Sequence, residues 1–334
     1  MSDLLDASVD LNPVGMTQVR LTTSDNVTLG GTWFLPARPR RSPSVAIVVL
    51  CGAGIPARFY HRMASFLAER DAAVLTFDYR GIGASLHDGD VRKVRSGMEI
   101  WAETDIDAAL ADARTRFPGL PLTAITHSVG GLLVGGAQLA TQLSRLVLLG
   151  PHTGYWRDYG RRWRPLLYFT WHLFQPAVTR MVGYFPGRAL RLGENLPPRI
   201  ALDWAERRQP AIVRPGENEE RFGRLLPRFR DVRAETLAIS ITDDAFAPPE
   251  AAHRLFAVYS GLRVTHRVTS PAALGRKRVG HFGFLRRPAC ELFWRQAAAW
   301  LIPGFPNEND AEFRPCPVCE ARRQRDPDSA SSRG

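Results

Sequence analysis

Lysine is almost missing from this 334-residue sequence: Lys93 and Lys277 stand against 42 arginines. So one-sided a choice reads as a coding bias rather than a surface selected for phosphate. The arginines sit mostly singly among acidic and apolar residues, with no compact basic block. The net charge of +11 therefore does not carry a nucleic-acid reading. No apolar run reaches the roughly eighteen residues that span a bilayer. The opening MSDLLDASVDLNPVG is acidic and lacks the basic-then-apolar order of a signal peptide, so the expected location is cytoplasmic. Cysteine is scarce, with four in all. Cys51 and Cys290 lie in apolar patterns and read as reduced core residues. Cys316 and Cys319 form C-P-V-C in a polar tail. A zinc ribbon needs a second such pair, and a redox pair belongs at a helix start inside a folded unit. The motif is therefore read as silent and no metal is expected, with an intermolecular metal or disulfide role as the alternative.

What remains is 45% apolar, enough chain to bury a large core. Residues 17–35 alternate like an antiparallel strand pair around Ser24-Asp25-Asn26. SVAIVVL, AAVLTFDY, LTAIT, RLVLLG, TLAISIT and LRVTHRV are short runs rich in apolar and β-branched residues, most of them suited to strands buried on both faces. Helical patterns separate them, among them 98–117 and SVGGLLVGGAQLATQL. This alternation predicts an α/β fold, a mostly parallel doubly wound sheet with an antiparallel N-terminal pair. The rhythm breaks at 151–235, where arginine and aromatics dominate, and this predicts an inserted helical cap. The expected organisation is an N-terminal tail (1–16), core (17–150), cap (151–235), core (236–302) and a polar disordered tail (303–334).

G-A-G-I-P-A follows the strand 44–50, and Asp78 lies about 20 residues on, the spacing of a dinucleotide fingerprint. This would make the chain an NAD-dependent oxidoreductase. Antiparallel strands precede the unit, however, and the glycines have a second use. Gly52 and Gly54 let a backbone N–H approach an oxyanion, while Asp78 anchors the DYRGIGAS loop.

THSVGG, after the strand LTAIT, sits where a chain turning from strand to helix would expose Ser128 as a nucleophile. Gly130 supplies the small residue after it. Thr126 stands where the usual motif has its first glycine, so the motif alone does not decide. A base and an acid should follow in the order Ser, Asp/Glu, His. Asp244, in D-D-A-F-A-P after a late strand, is the candidate acid, with Asp243 its rival. His281, in G-H-F-G-F after the last strand, is the candidate base. His152 and His172 precede the acid, the wrong order, and His127 beside Ser128 reads as buried scaffold.

With CGAGIPARFY, FDYRGIGAS, THSVGG, DDAFAPP and GHFGFL in place, residues 17–302 resemble the α/β-hydrolases. The similarity is to their serine aminopeptidase-like or monoacylglycerol lipase-like branch. Cys51 stands where many relatives carry His. The resemblance implies a serine hydrolase that cleaves a carboxylic ester through Ser128, His281 and Asp244. Backbone N–H groups of Ala53 and Val129 would hold the oxyanion, and neither cofactor nor metal is needed. Trp156, Trp163 and Trp171 are candidate substrate-binding residues, with a small acyl compound as the partner. The Arg-rich aromatic cap also suggests weak contact with a membrane surface. Alternatives are an acyltransferase, an amidase or peptidase on the same triad, and a non-catalytic binding protein.

Overall fold

The computed structural model describes residues 14–37, 42–206, 223–306 and 311–316. Nine strands form one sheet in the order β1-β2-β4-β3-β5-β6-β7-β8-β9. β1 (Gly15–Thr22) and β2 (Thr28–Leu35) are antiparallel, and β2 joins β4 (Ala72–Phe77) in the same sense. β3 (Val45–Leu50), β4, β5 (Leu122–His127), β6 (Arg145–Leu149), β7 (Glu235–Ile241) and β8 (Arg263–Thr269) are parallel. This is the mixed sheet that the hydrophobic runs predicted. β3, β4 and β5 are buried along their whole length because helices cover both faces.

From β3 the chain steps outward to β4, then returns across β3 to β5. That reversal is a topological switch point, where the loops leaving neighbouring strand ends diverge and open a crevice. The loop after β3 and the turn after β5 both end there. α1 (His61–Ala68) follows the first, and α4 (Gly130–Leu133) follows the second. α2 (Met98–Ile100) and α3 (Ile106–Arg116), joined by a π-turn at Trp101–Asp105, make the helix expected over 98–117.

The long helix expected after Ser128 is not formed. α4 has four residues and gives way to 3₁₀ turns at Val134–Gly136 and Leu139–Gln142. The break falls at Gly135-Gly136, a pair of poor helix formers, where Phe229, Tyr259, Ala102 and Leu225 pack too close for any Cβ. Phe229 belongs to α8 (Leu226–Asp231), which follows α5 (Arg164–Phe169), α6 (Gln175–Val182) and α7 (Pro198–Ala205). α8 lies inside the stretch read as cap, but its Phe229 is fully buried in the main core. α9 (Pro249–Phe256) and α10 (Cys290–Leu301) complete the helical layers.

Residues 311–316 are not a disordered polar segment. β9 (Arg314–Pro315) pairs antiparallel with β8, Phe313 enters the core, and Cys316 is buried. The apolar Phe313 and the thiol, separated by two outward residues, explain why a polar stretch docks there. Residues 1–13 of the expected N-terminal tail, and Cys319, lie outside the described residues.

Candidate active site

Ser128 occupies the turn between β5 and α4 with φ of 58°, a left-handed conformation that L side chains avoid. The strain is held by close packing. A Cβ on Gly130 would stand 2.7 Å from the Leu50 carbonyl oxygen, so only glycine lets α4 come down onto the end of β3. Thr126 is tolerated for the complementary reason. It is fully buried, and its Oγ1 lies 3.3 Å from where a Cβ on residue 131 would sit, so Gly131 makes the room.

The structure brings the candidate acid Asp244 and the candidate base His281 together. His281 Nδ1 is 2.8 Å from Asp244 Oδ2, and both side chains are buried. Asp244 Oδ1 accepts from the N–H groups of Phe246 and Ala247, each at 2.8 Å. Burial works to raise the Asp244 carboxyl, but His281 and these two donors hold it below its ordinary value. Asp243 does a different job. It accepts from the N–H groups of Val279 and Gly280 and so fixes the loop that presents His281. Gly150, at the end of β6 with φ of 56°, lies under this pair. A Cβ there would be 3.2 Å from Asp244 Oδ2 and 3.4 Å from His281 Cε1.

The Ser128 hydroxyl has an unforeseen partner. Its Oγ is 3.0 Å from Nε2 of His152, a histidine set aside on chain order. The rings of His152 and His281 stand with centroids 6.1 Å apart. The signal available in the sequence was position: P-H-T stands directly past the C-terminal end of β6, on the same sheet edge as Ser128.

His127 braces the site from beneath. It is fully buried and stacks on His281 at 4.7 Å. Its Nε2 is 3.2 Å from the His281 carbonyl oxygen, which can only accept, so Nε2 carries the proton. Nδ1 then accepts from the Tyr60 hydroxyl at 2.9 Å, and that hydroxyl accepts from the Gly52 N–H, also at 2.9 Å. Burial, with His281 next, keeps the His127 pKa well below the ordinary imidazole value, so the ring stays neutral. Tyr60 thus braces the loop after β3, while Cys51 is buried with its Sγ 3.5 Å from the Phe77 carbonyl oxygen. No backbone acceptor among the described residues engages the N–H of Ala53 or Val129.

Asp78 is anchored as the loop reading proposed. Its Oδ1 accepts from Ala57 N–H at 2.7 Å and its Oδ2 from Ala84 N–H at 2.9 Å. Both carboxylate oxygens are occupied by the protein's own backbone rather than presented to a ribose, which removes the main support for a dinucleotide site.

The chain between β6 and β7 roofs the crevice. Glu194 donates its N–H to the Gly54 carbonyl, and its carboxylate pairs with Arg58 and Arg188. Trp204 packs edge-on against His152 at 5.5 Å and against Trp171 at 5.6 Å, and Trp171 against Tyr159 at 5.2 Å. Phe246 lies 5.5 Å from the His281 ring. Of the three tryptophans singled out, Trp171 joins this wall. Trp156 packs on Tyr168, and Trp163 is 47% exposed beneath the Arg162 guanidinium, apart from these contacts. Trp204 and Phe246 were missed, since nothing local separates them from ordinary core aromatics.

Solved structures with this architecture include enzymes of two kinds. An esterase from Pyrococcus furiosus aligns over 86% of this chain and 91% of its own, at 16% identity and a TM-score of 0.52. A highly thermostable carboxyl esterase from Bacillus coagulans aligns over 88% and 99%, at 17% identity and a TM-score of 0.55. The acylaminoacyl peptidase of Pyrococcus horikoshii aligns over 91% of this chain but 44% of its own, at 14% identity and a TM-score of 0.54. At such identities the likeness shows the α/β-hydrolase fold alone. No curated protein matches the chain. The sequence model of the serine aminopeptidase S33 family matches residues 41–214, more than half of the chain. The chain belongs to the serine aminopeptidase S33 family, serine hydrolases built on the α/β-hydrolase fold.

Proposed function

We propose that this protein hydrolyses carboxylic esters, with Ser128 as nucleophile, His281 as base and Asp244 as its orienting acid. The observation that carries the reading is the strained Ser128, held at a positive φ beside an Asp244–His281 pair. Strain of this kind clusters at active sites. Ser128 Oγ forms a bond to the carbonyl carbon and its proton passes to His281. Asp244, ionised, holds the imidazole in orientation and stabilises its charged form. The Ala53 and Val129 N–H groups donate hydrogen bonds to the developing oxyanion. The bond to the leaving alcohol then breaks as His281 returns the proton to it. A water repeats the sequence and frees the acid. In the resting site His152 holds the hydroxyl, and rotation about Cα–Cβ turns it to His281 for attack.

The aromatic wall of Trp204, Trp171, Tyr159 and Phe246 favours an apolar or aromatic acyl group over a charged peptide. This supports an esterase ahead of a peptidase. Aryl esters of graded acyl length test it: hydrolysis that Ser128→Ala abolishes supports the reading, and equal activity in that variant refutes it.

We also propose weak attachment of the cap to anionic lipid. Leu166, Phe169 and Leu173 are exposed along one helical face, with Arg161, Arg162 and Arg180 exposed around it. Pelleting with anionic vesicles should weaken with salt and with Phe169→Ser. Pelleting indifferent to both overturns the proposal.

A further inference from the structure

At the opposite edge of the sheet from β1, three side chains of metal-ligand type converge. His253 comes from α9, His266 from β8, and Cys316 from the residue after β9. One ligand atom from each lies within 4.8 Å of the others. His253 Nε2 is 3.0 Å from Cys316 Sγ, and the two imidazole rings are 5.3 Å apart. Cys316 and His266 are 3% and 4% exposed, while His253 is half-buried and leaves a way in.

We propose that His253, His266 and Cys316 bind one divalent zinc-class ion, tying the C-terminal segment to the sheet edge. The donor set fits that class: one sulfur and two imidazoles suit borderline-soft ions, whereas calcium and magnesium require oxygen ligands. The spacing fits as well. In a tetrahedral centre with ordinary zinc bond lengths, ligand atoms stand roughly 3.3–3.6 Å apart. The present spread closes to that by small side-chain rotations. The surroundings are those of a built site. Ser240 Oγ lies 2.9 Å from His266 Nε2, the kind of hydrogen bond that fixes the ring of a ligating histidine. The Cys316 N–H donates to the His266 carbonyl at 3.0 Å, which sets the cysteine in register. Phe256 packs on His266 at 5.2 Å and dries that side. The clamp also gives a reason for β9, a strand of two residues with only two paired positions, to stay docked. The site stands apart from Ser128 and does not depend on the proposed hydrolysis.

The test uses the full chain without a metal-binding tag, kept reduced, loaded with zinc and passed through gel filtration before metal analysis. About one zinc per chain should remain, and His266→Ala and Cys316→Ser should each lose most of it. Zinc should raise the melting temperature of the wild type and leave both variants unmoved. Cobalt(II) in the wild type should give a thiolate charge-transfer band that zinc displaces, a readout that needs no variant to fold. A wild type that retains no zinc and shows no such band overturns the proposal. So does a double variant lacking His253 and His266 that holds as much zinc as the wild type.

Discussion

Tyr60→Phe removes one oxygen and little volume, so its effect isolates the brace under the site. The hydroxyl accepts from the Gly52 N–H and donates to His127 Nδ1, both at 2.9 Å, and Tyr60 and His127 are fully buried. Without it, a backbone donor and a ring acceptor are stranded away from water. Each such group costs about 1–3 kcal/mol, so the variant should lose roughly 2–6 kcal/mol of unfolding free energy. The kinetic effect should be smaller than losing an oxyanion donor outright, which costs about 10²–10³-fold. The loop from Cys51 to Pro56 stays in place but is less firmly set. We expect kcat on an aryl ester to fall about tenfold to a hundredfold with KM little changed. Urea unfolding followed by tryptophan fluorescence, with steady-state kinetics on the same preparation, reads both. A stability loss under about 0.5 kcal/mol with kcat unchanged would mean that the hydroxyl braces nothing.

Gly150→Ala must adopt a left-handed φ and push its Cβ toward Asp244 and His281. It should cost about 1–2 kcal/mol and lower kcat far more than it changes KM; normal kcat would show that the pair tolerates displacement. Thr126 Oγ1 is buried with no hydrogen-bond partner among the described residues. Thr126→Val should therefore leave stability unchanged or raise it by about 1 kcal/mol in urea unfolding, and a clear loss would reveal a use for the hydroxyl. Burial pushes the Asp203 carboxyl from 3.8 up to about 7, against the opposing pull of Arg199. A carboxyl raised in the folded state stabilises fully below its ordinary pKa, and that contribution is lost as pH rises through the folded value. At about 1.4 kcal/mol per pKa unit the loss between pH 4 and pH 7 is at most about 4 kcal/mol. Asp203→Asn, which keeps an acceptor for the Met98 N–H, should flatten that slope, and an unchanged slope would assign it to other groups.

Much of this architecture was legible because sheet burial writes directly into composition. VAIVVL, AAVLTF and LTAITH are runs with no exposed residue, and the structure makes each a central strand. Ser128, Asp244 and His281 could be singled out because each follows a strand that ends on the same edge, and the structure pairs the last two. His152 was not, since the rule of chain order concerns the catalytic base and says nothing about what else faces the serine. The broken helix after Ser128 was hidden for another reason. The glycines at 135 and 136 were read as easing helix packing, whereas the helix ends at them, with Leu225 and Phe229 from far along the chain packed close. Cys316 was misread because polar neighbours mask a segment whose anchors, Phe313 and the thiol, are only two residues.

Labelling of Ser128 by a fluorophosphonate, timed in the wild type, His281→Ala and His152→Ala, tests the central claim most directly. The account predicts that the wild type is labelled at Ser128. His281→Ala should slow labelling by at least about a hundredfold, a typical contribution of general-base catalysis, while His152→Ala stays within about tenfold of the wild type. A wild type left unlabelled at Ser128, or a rate that collapses with His152 and survives without His281, would contradict it.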